Sequence, residues 1–183
     1  PEGHSLAGSA IAPLPKILPE CFLLGASEAS ARLAAELGWG FAYGGHHNGD
    51  ENAIKHALAA YGNRRPSPIL TVTAFAARTL AEARLKSDFH VYKTYFSDDH
   101  SVNLGSLDAV KEYARQLGRE PLRVDEHQPQ VVSGTPDDVH ATLKQLSEKF
   151  GVEAFILDSP VVERTARLES IELIAAAHHR AAA

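Results

Sequence analysis

A parallel α/β fold follows from three features of the chain. Segments with strand character alternate with amphipathic helical segments about four times, and the connections between them are short. One segment, Ile69-Leu70-Thr71-Val72-Thr73-Ala74-Phe75-Ala76, is almost continuously apolar and β-branched, as in a strand buried on both faces. Glycine, proline and hydroxyl-bearing residues punctuate the junctions. Such alternation implies parallel strands joined by right-handed crossovers. Four units of this kind build either a small open sheet or half of an eight-fold barrel, and composition does not separate the two.

Residues 1–20 hold Pro1, Pro13, Pro15 and Pro19 with Gly3 and Gly8, which predicts an extended lead-in ahead of a folded unit over 21–183. Cys21–Gly25 reads as the first strand, and a helix over about 28–37 follows, with Leu33 and Leu37 on one face. Trp39–Tyr43 is a second strand ending at Gly44-Gly45, and His46-His47-Asn48-Gly49 is a loop. Ile54, Ala57, Leu58 and Tyr61 fall at helical spacing and predict a helix over about 50–61. After a break at Asn63–Pro68 and the strand Ile69–Ala76, Thr79 with Glu82 forms a capping-box pattern for another helix. Ser87–Gly105 reads as irregular, with Phe89, Tyr92, Tyr95 and Phe96 scattered among polar residues.

Ser106 opens a helix that carries Leu107, Val110, Ala114 and Leu117 on one face. Residues 119–134 read as loop with a short extended piece near Gln130–Ser133. Thr135-Pro136-Asp137-Asp138 is a strong helix start, combining a threonine cap, proline in the first turn and acids on the positive end of the dipole. Val139, Leu143, Leu146 and Phe150 line that helix, Gly151 ends it, and Val152–Asp158 is the next strand. A final helix is expected from about Pro160 to Ala177, with a frayed tail over His178–Ala183.

Composition narrows the function classes. The chain has 183 residues, 44% hydrophobic and 22% charged, which suits one soluble domain with a real core. A net charge of −5 argues against nucleic acid or an anionic membrane surface as partner. The single cysteine, Cys21, cannot form an internal disulfide, so a reducing cytoplasm is the expected compartment. Its apolar neighbours Phe22 and Leu23 predict a buried thiol. Neither a secretory leader nor an apolar run of membrane-spanning length is present in the sequence. The chain starts at Pro1 and contains no methionine, which predicts that it begins inside a longer reading frame.

The most informative stretch is Phe22–Gly38, where an apolar strand ends in Gly25-Ala26-Ser27 and enters a helix past Ser30. The first helical turn offers unbonded N–H groups and the positive dipole end, which suits a phosphate. Gly25 and Ala26 permit close approach to the backbone, and Ser27 and Ser30 add hydroxyl donors. A purely structural N-cap fits the same residues, and the sequence leaves both readings open. Other clusters are weaker. The ten histidines lack a carboxylate or cysteine framework at ligand spacing, and no metal is expected. Asp98-Asp99-His100 and Asp125-Glu126-His127 read as solvated loops, and Ser27 lacks the flanking glycines of a hydrolase elbow.

The strand Phe22–Ser27 with Ser30-Ala31 and Leu33–Gly38 resembles the luciferase-like flavin-dependent monooxygenases. Further segments agree in order: Phe41-Ala42-Tyr43 with His46-His47, Tyr61 with Arg65-Pro66-Ser67, and Val132-Ser133-Gly134-Thr135-Pro136-Asp137-Asp138-Val139. Gly151–Leu157 and Arg167–Leu173 resemble the family's closing strand and helix, so the likeness covers the chain from about residue 13 onward. It implies a TIM-type (β/α)8 barrel of which this chain matches only the second half, a parallel (βα)4 half-barrel. It also implies FMN, or in one branch a deazaflavin, used in reduced form to activate O2 for insertion into a small-molecule substrate. By resemblance the flavin phosphate falls at Gly25, Ala26 and Ser27, with Ser30 one turn on, although Ala26 replaces the first serine of the usual pair. His46 matches a loop near the flavin, and no catalytic residue is assigned. The expected partner is an N-terminal half or a second copy in a homodimer. The rival reading is a non-catalytic half-barrel that dimerises or binds flavin without turnover.

Overall fold

The computed structural model describes residues 16–17 and 19–182. Most of the proline-bearing lead-in over 1–20 therefore lies outside the described residues. The main body is a parallel sheet of β1 (Phe22–Gly25), β2 (Gly40–Tyr43), β3 (Ile69–Ala76), β7 (Val132–Gly134) and β8 (Ala154–Asp158). β1 pairs with β2 and β2 with the start of β3, while β3 also pairs with β8 and, towards its end, with β7. All of these pairings are parallel, as the alternation of elements predicts. The first helices, α1 (Glu28–Leu37) and α2 (Glu51–Tyr61), match the predicted ranges within a residue.

The main core lies on one face of this sheet. Leu23, Phe41, Tyr43, Leu70, Val72 and Ala74 point to it, and Ala31 and Ala34 of α1 with Ile54, Ala57 and Tyr61 of α2 pack onto them. α5 (Pro136–Phe150) adds Val139, Leu143, Leu146 and Phe150, and α6 (Arg164–Ala182) adds Leu173 and Ile174. Alternation along each strand sends the remaining side chains to the opposite face. There Phe22 is 40% exposed, Leu24 67% and Ile156 45%. Phe22 lies over Gly40, where an added Cβ would come within 2.3 Å of its ring, and Leu24 lies over Gly44. On the same face Thr71 Oγ1 is buried without a hydrogen-bond partner among the described residues. Among the described residues that face is closed where Phe75, near the end of β3, clusters with Ala83, Val161 and Ala166.

Two side chains fasten the ends of the sheet. Ser170 of α6 is buried, and its hydroxyl accepts a hydrogen bond from the Ala76 N–H at 2.8 Å, beyond the point where β8 stops pairing. The Tyr61 hydroxyl lies 3.2 Å from the Trp39 carbonyl and 3.0 Å from that of Pro66, donating to one at a time. Burial raises the Tyr61 pKa above its ordinary value, so the phenol stays a donor.

The structure corrects the irregular reading of residues 87–105 and the loop reading of 119–134, while the helix predicted from Ser106 is present. After α3 (Leu80–Ser87) the chain forms β4 (Val91–Ser97) and β5 (His100–Leu104), then α4 (Leu107–Leu117) and β6 (Arg123–His127). β4 is the centre of an antiparallel sheet in the order β5-β4-β6. The missed signal is a period of two: Thr94 and Phe96 point inward at 0% and 3% exposure, while Lys93 and Tyr95 carry the outer face. These elements pack on one another and make at most marginal contact with the main sheet among the described elements. Phe96, His100 and Tyr113 stack together, and Arg119 donates to His100 Nδ1 at 3.1 Å from beyond the end of α4.

Two further expectations are corrected. Cys21 is exposed rather than buried, because it precedes β1 at the open edge of the sheet. The predicted frayed tail is helical to Ala182, and Arg180 pairs with Asp137 of α5 at 2.8 Å.

Candidate functional site

In a parallel sheet every strand delivers its following loop to the same end, and ligands bind there because the helix N-termini converge on it. Here that end carries the Gly25–Ser30 turn after β1, His46 after β2, Ala77-Arg78 after β3, and Gly134–Asp138 after β7. β1 and β2 are neighbours, and the Gly44 N–H donates to the Gly25 carbonyl at 2.9 Å. The sheet therefore brings the two sequence-predicted segments, Gly25–Ser30 and the His46 loop, side by side.

Ser27 is the N-cap of α1, with φ −139° and ψ 158°, and its hydroxyl accepts from the Ser30 N–H at 3.2 Å. The structural cap is thus present. It leaves the junction open, because Ala26 and Ser27 are exposed and Ser27 Oγ lies 2.9 Å from Ser30 Oγ. Two hydroxyls sit beside a first helical turn whose leading N–H groups have no acceptor within the helix. Gly25 makes the close packing possible, since a Cβ there would sit 2.4 Å from the Ser30 Cβ and 2.6 Å from its Oγ.

Glu28 also occupies the first turn of α1, and its charge opposes an anion. The carboxylate is drawn aside: Arg32 meets it at 2.8 Å and His56 lies 3.9 Å away. Sequence reasoning missed this neutralisation, although the i, i+4 spacing of Glu28 and Arg32 is its visible sign. At α5 the opposite holds. Thr135 and Asp138 form a full capping box, with Asp138 Oδ2 accepting from the Thr135 N–H at 3.0 Å and the hydroxyl at 2.7 Å. The side-chain bond from Thr135, then the backbone bond, holds the Asp138 carboxyl below its ordinary pKa. This helix start therefore supplies its own anion.

His46 is 2% exposed, in a short 3-10 turn (His46–Asn48) against β3, so it is a packed residue rather than a solvated one. The side chain of His47 lies outside the described residues. Beside this turn Tyr43 is buried on the helix side, and burial, then the charge of Asp50, raises its pKa. Among the described residues no group of three His, Cys, Asp or Glu side chains is arranged to hold a metal. Of the remaining clusters read from sequence, His100 is engaged with Tyr113 and Arg119. No helix among the described residues is long and apolar enough to cross a membrane.

Comparisons with known proteins agree with this geometry at the level of family. No family model matches the chain. It is 29% identical over 186 residues to the N-acetyl-S-alkylcysteine monooxygenase of Bacillus subtilis, covering 95% of this chain and 54% of that protein. Among solved structures, apo-MsnO8 superimposes with a TM-score of 0.61 at 25% identity, covering 97% of this chain and 56% of that one. The oxygenating constituent of 3,6-diketocamphane monooxygenase from Pseudomonas putida, solved in complex with FMN, shares the fold with a TM-score of 0.52. Its identity is 19%, over 85% of this chain and 47% of that one. The resemblance to the luciferase-like flavin-dependent monooxygenases thus holds over most of the chain. The chain spans about half the length of the curated relatives it matches.

Proposed function

We propose that this chain is the C-terminal portion of a cytoplasmic, flavin-dependent luciferase-like monooxygenase, and that it seats the phosphate of FMN. The observation that carries the half-barrel reading is the one-sided sheet. Its main core and the packing faces of α1, α2 and α5 share one face, while Phe22, Leu24 and Ile156 stand exposed on the other. Parallel sheets are normally covered on both faces. A doubly wound sheet achieves this with helices on each side, and a barrel achieves it by closing on itself. β1 and β8 each have one unpaired edge, where further parallel strands would continue the curve.

The residues at the β1–α1 junction fit a phosphate. Ser27 and Ser30 would donate hydroxyl hydrogen bonds, the backbone from Ala26 into the first turn of α1 would add N–H groups, and Arg32 would keep Glu28 turned away. His46 would form part of the neighbouring wall. When bound, reduced FMN supplies the O2-activating chemistry, and the protein's part is to hold it, exclude water and orient a small-molecule substrate.

The test is a fluorescence titration of the purified chain with FMN and, separately, with riboflavin, which lacks the phosphate. FMN quenching that saturates, with riboflavin binding at least tenfold weaker, supports the phosphate seat. Ser27→Glu should remove the preference for FMN by placing a carboxylate beside the phosphate. Equal binding of both flavins, or an unchanged preference in that variant, overturns it. A second reading is favoured by the two unpaired sheet edges: a non-catalytic half-barrel that pairs with a second copy. Light scattering that gives a dimer with no flavin binding would select it.

A further inference from the structure

A groove on the helix side of the sheet, apart from the β1–α1 junction, has the composition of an amphiphile site. It runs between α5 and α6 above β8 as two adjoining cavities of about 580 and 420 Å3, which share Leu157, Ile174 and His178. Both volumes fall in the range of small-molecule sites, roughly 300–1,000 Å3. The larger carries the polar groups. His140 and His178 face each other with ring centroids 5.9 Å apart, and Lys144 follows His140 one turn along α5. Glu153 also lines this cavity, but it follows the C-terminal end of α5 and so lies at the opposite end from His140. The smaller cavity is lined by Ala74, Leu157, Ile171, Ile174 and Ala175. Ser159, Ser170 and Asp158 complete it at its margin, and the Ser170 hydroxyl is already engaged by the Ala76 N–H. Ile171 is 55% exposed and Leu157 40%, so apolar surface lies open along the groove.

We propose that this groove binds a medium-chain carboxylate, with the head at His140, Lys144 and His178 and the tail along Leu157 and Ile174 towards Ile171. The charge arrangement selects the occupant. Lys144, which faces Glu148 at 4.0 Å, can turn to donate to a ligand carboxylate, and each imidazole offers an N–H in either protonation state. Beyond the shared His178, the apolar branch carries no cationic side chain, and its hydroxyls are those of Ser159 and Ser170. Its only nearby carboxylate, Asp158, disfavours an anion there, which orients the ligand. The inference does not rest on flavin binding, because the groove is formed by α5, α6 and β8 and the phosphate seat by the start of α1.

The experiment is calorimetric titration of the chain with laurate below its micelle concentration, against dodecyltrimethylammonium as a cation of equal chain length. Saturable one-to-one binding of laurate, at least tenfold tighter than the cation, is expected. Lys144 and Ile171 are exposed, so Lys144→Glu and Ile171→Asp leave the fold intact and should each weaken laurate about fivefold or more. Leu24→Asp, on the uncovered sheet face, should leave laurate binding unchanged. Absence of saturable binding, equal affinity for the cation, or loss of binding in Leu24→Asp with retention in Lys144→Glu overturns the proposal.

Discussion

Ser30 occupies the space that a side chain on Gly25 would need. The serine Cβ lies 2.4 Å from the position of a Cβ built on the glycine, so the last residue of β1 and the first turn of α1 touch backbone to side chain. Gly25→Ala should push α1 away from the strand and separate the two hydroxyls. Overpacking of this kind costs about 1–3 kcal/mol. Urea unfolding should show that loss, and flavin titration of the same variant should show weaker FMN binding. An alanine variant of wild-type stability would mean that the turn is free to give.

Ser170→Ala removes the side-chain acceptor of a strand-end N–H, since Ala76 donates to that hydroxyl at 2.8 Å inside a buried environment. An unsatisfied buried backbone donor costs about 1–3 kcal/mol. The measurement is the urea midpoint, with amide exchange at Ala76 as the local readout. Faster exchange there, with the rest of β3 protected, is the expected signature.

Thr135→Ala should cost about 1 kcal/mol through loss of the α5 cap. It should also change the acid limb of the stability curve. Asp138 titrates below its ordinary value in the folded chain because Thr135 donates to it. A carboxyl whose folded pKa is depressed contributes stability that is present above its unfolded value, near pH 3.9, and is lost as pH falls through the lower folded value. The wild-type chain should therefore lose stability below about pH 4 more steeply than the alanine variant. Parallel acid limbs for the two would contradict the assignment.

Leu24→Ser should leave folding stability within about 0.5 kcal/mol, because the side chain is 67% exposed and supports no core contact. The same change should lower the fluorescence of a hydrophobic dye bound to the chain and reduce self-association at high concentration. If dye binding is untouched, the exposed face of the sheet is not where hydrophobic ligands adsorb.

Much of the main body was legible because its signals are local. The Thr135-Pro136-Asp137-Asp138 start is realised as a full capping box, and the spacing of Ile54, Ala57 and Tyr61 as the buried stripe of α2. Ser27 and Ser30, singled out in the sequence as hydroxyl donors, lie at hydrogen-bond distance from each other, a contact their spacing alone did not reveal. The β4–β6 sheet was missed because β6, Arg123–His127, holds one aliphatic residue and is tied to β4 by polar side chains, the Tyr92 hydroxyl donating to Glu126 and Arg123 lying over the Tyr95 ring, which leave no apolar pattern in the sequence. Cys21 was misjudged because an apolar neighbourhood in sequence does not reveal which strand lies at a sheet edge. His46 was left open between a solvated and a packed loop, and only the approach of the turn to β3 decides it.

Val91 and His127 are cross-strand partners, so the polypeptide leaves for the antiparallel excursion and returns from it at a single rung of backbone. Between α3 and β7, only the short stalks 88–90 and 128–131 on either side of that rung join it to the main sheet. Replacing everything from Tyr92 to Glu126 with a tight two-residue hairpin turn would preserve that rung's spacing, about 4.5–5.5 Å between facing residues. The excursion is in this sense a graft, free to change in length and character while the scaffold beneath it keeps its shape.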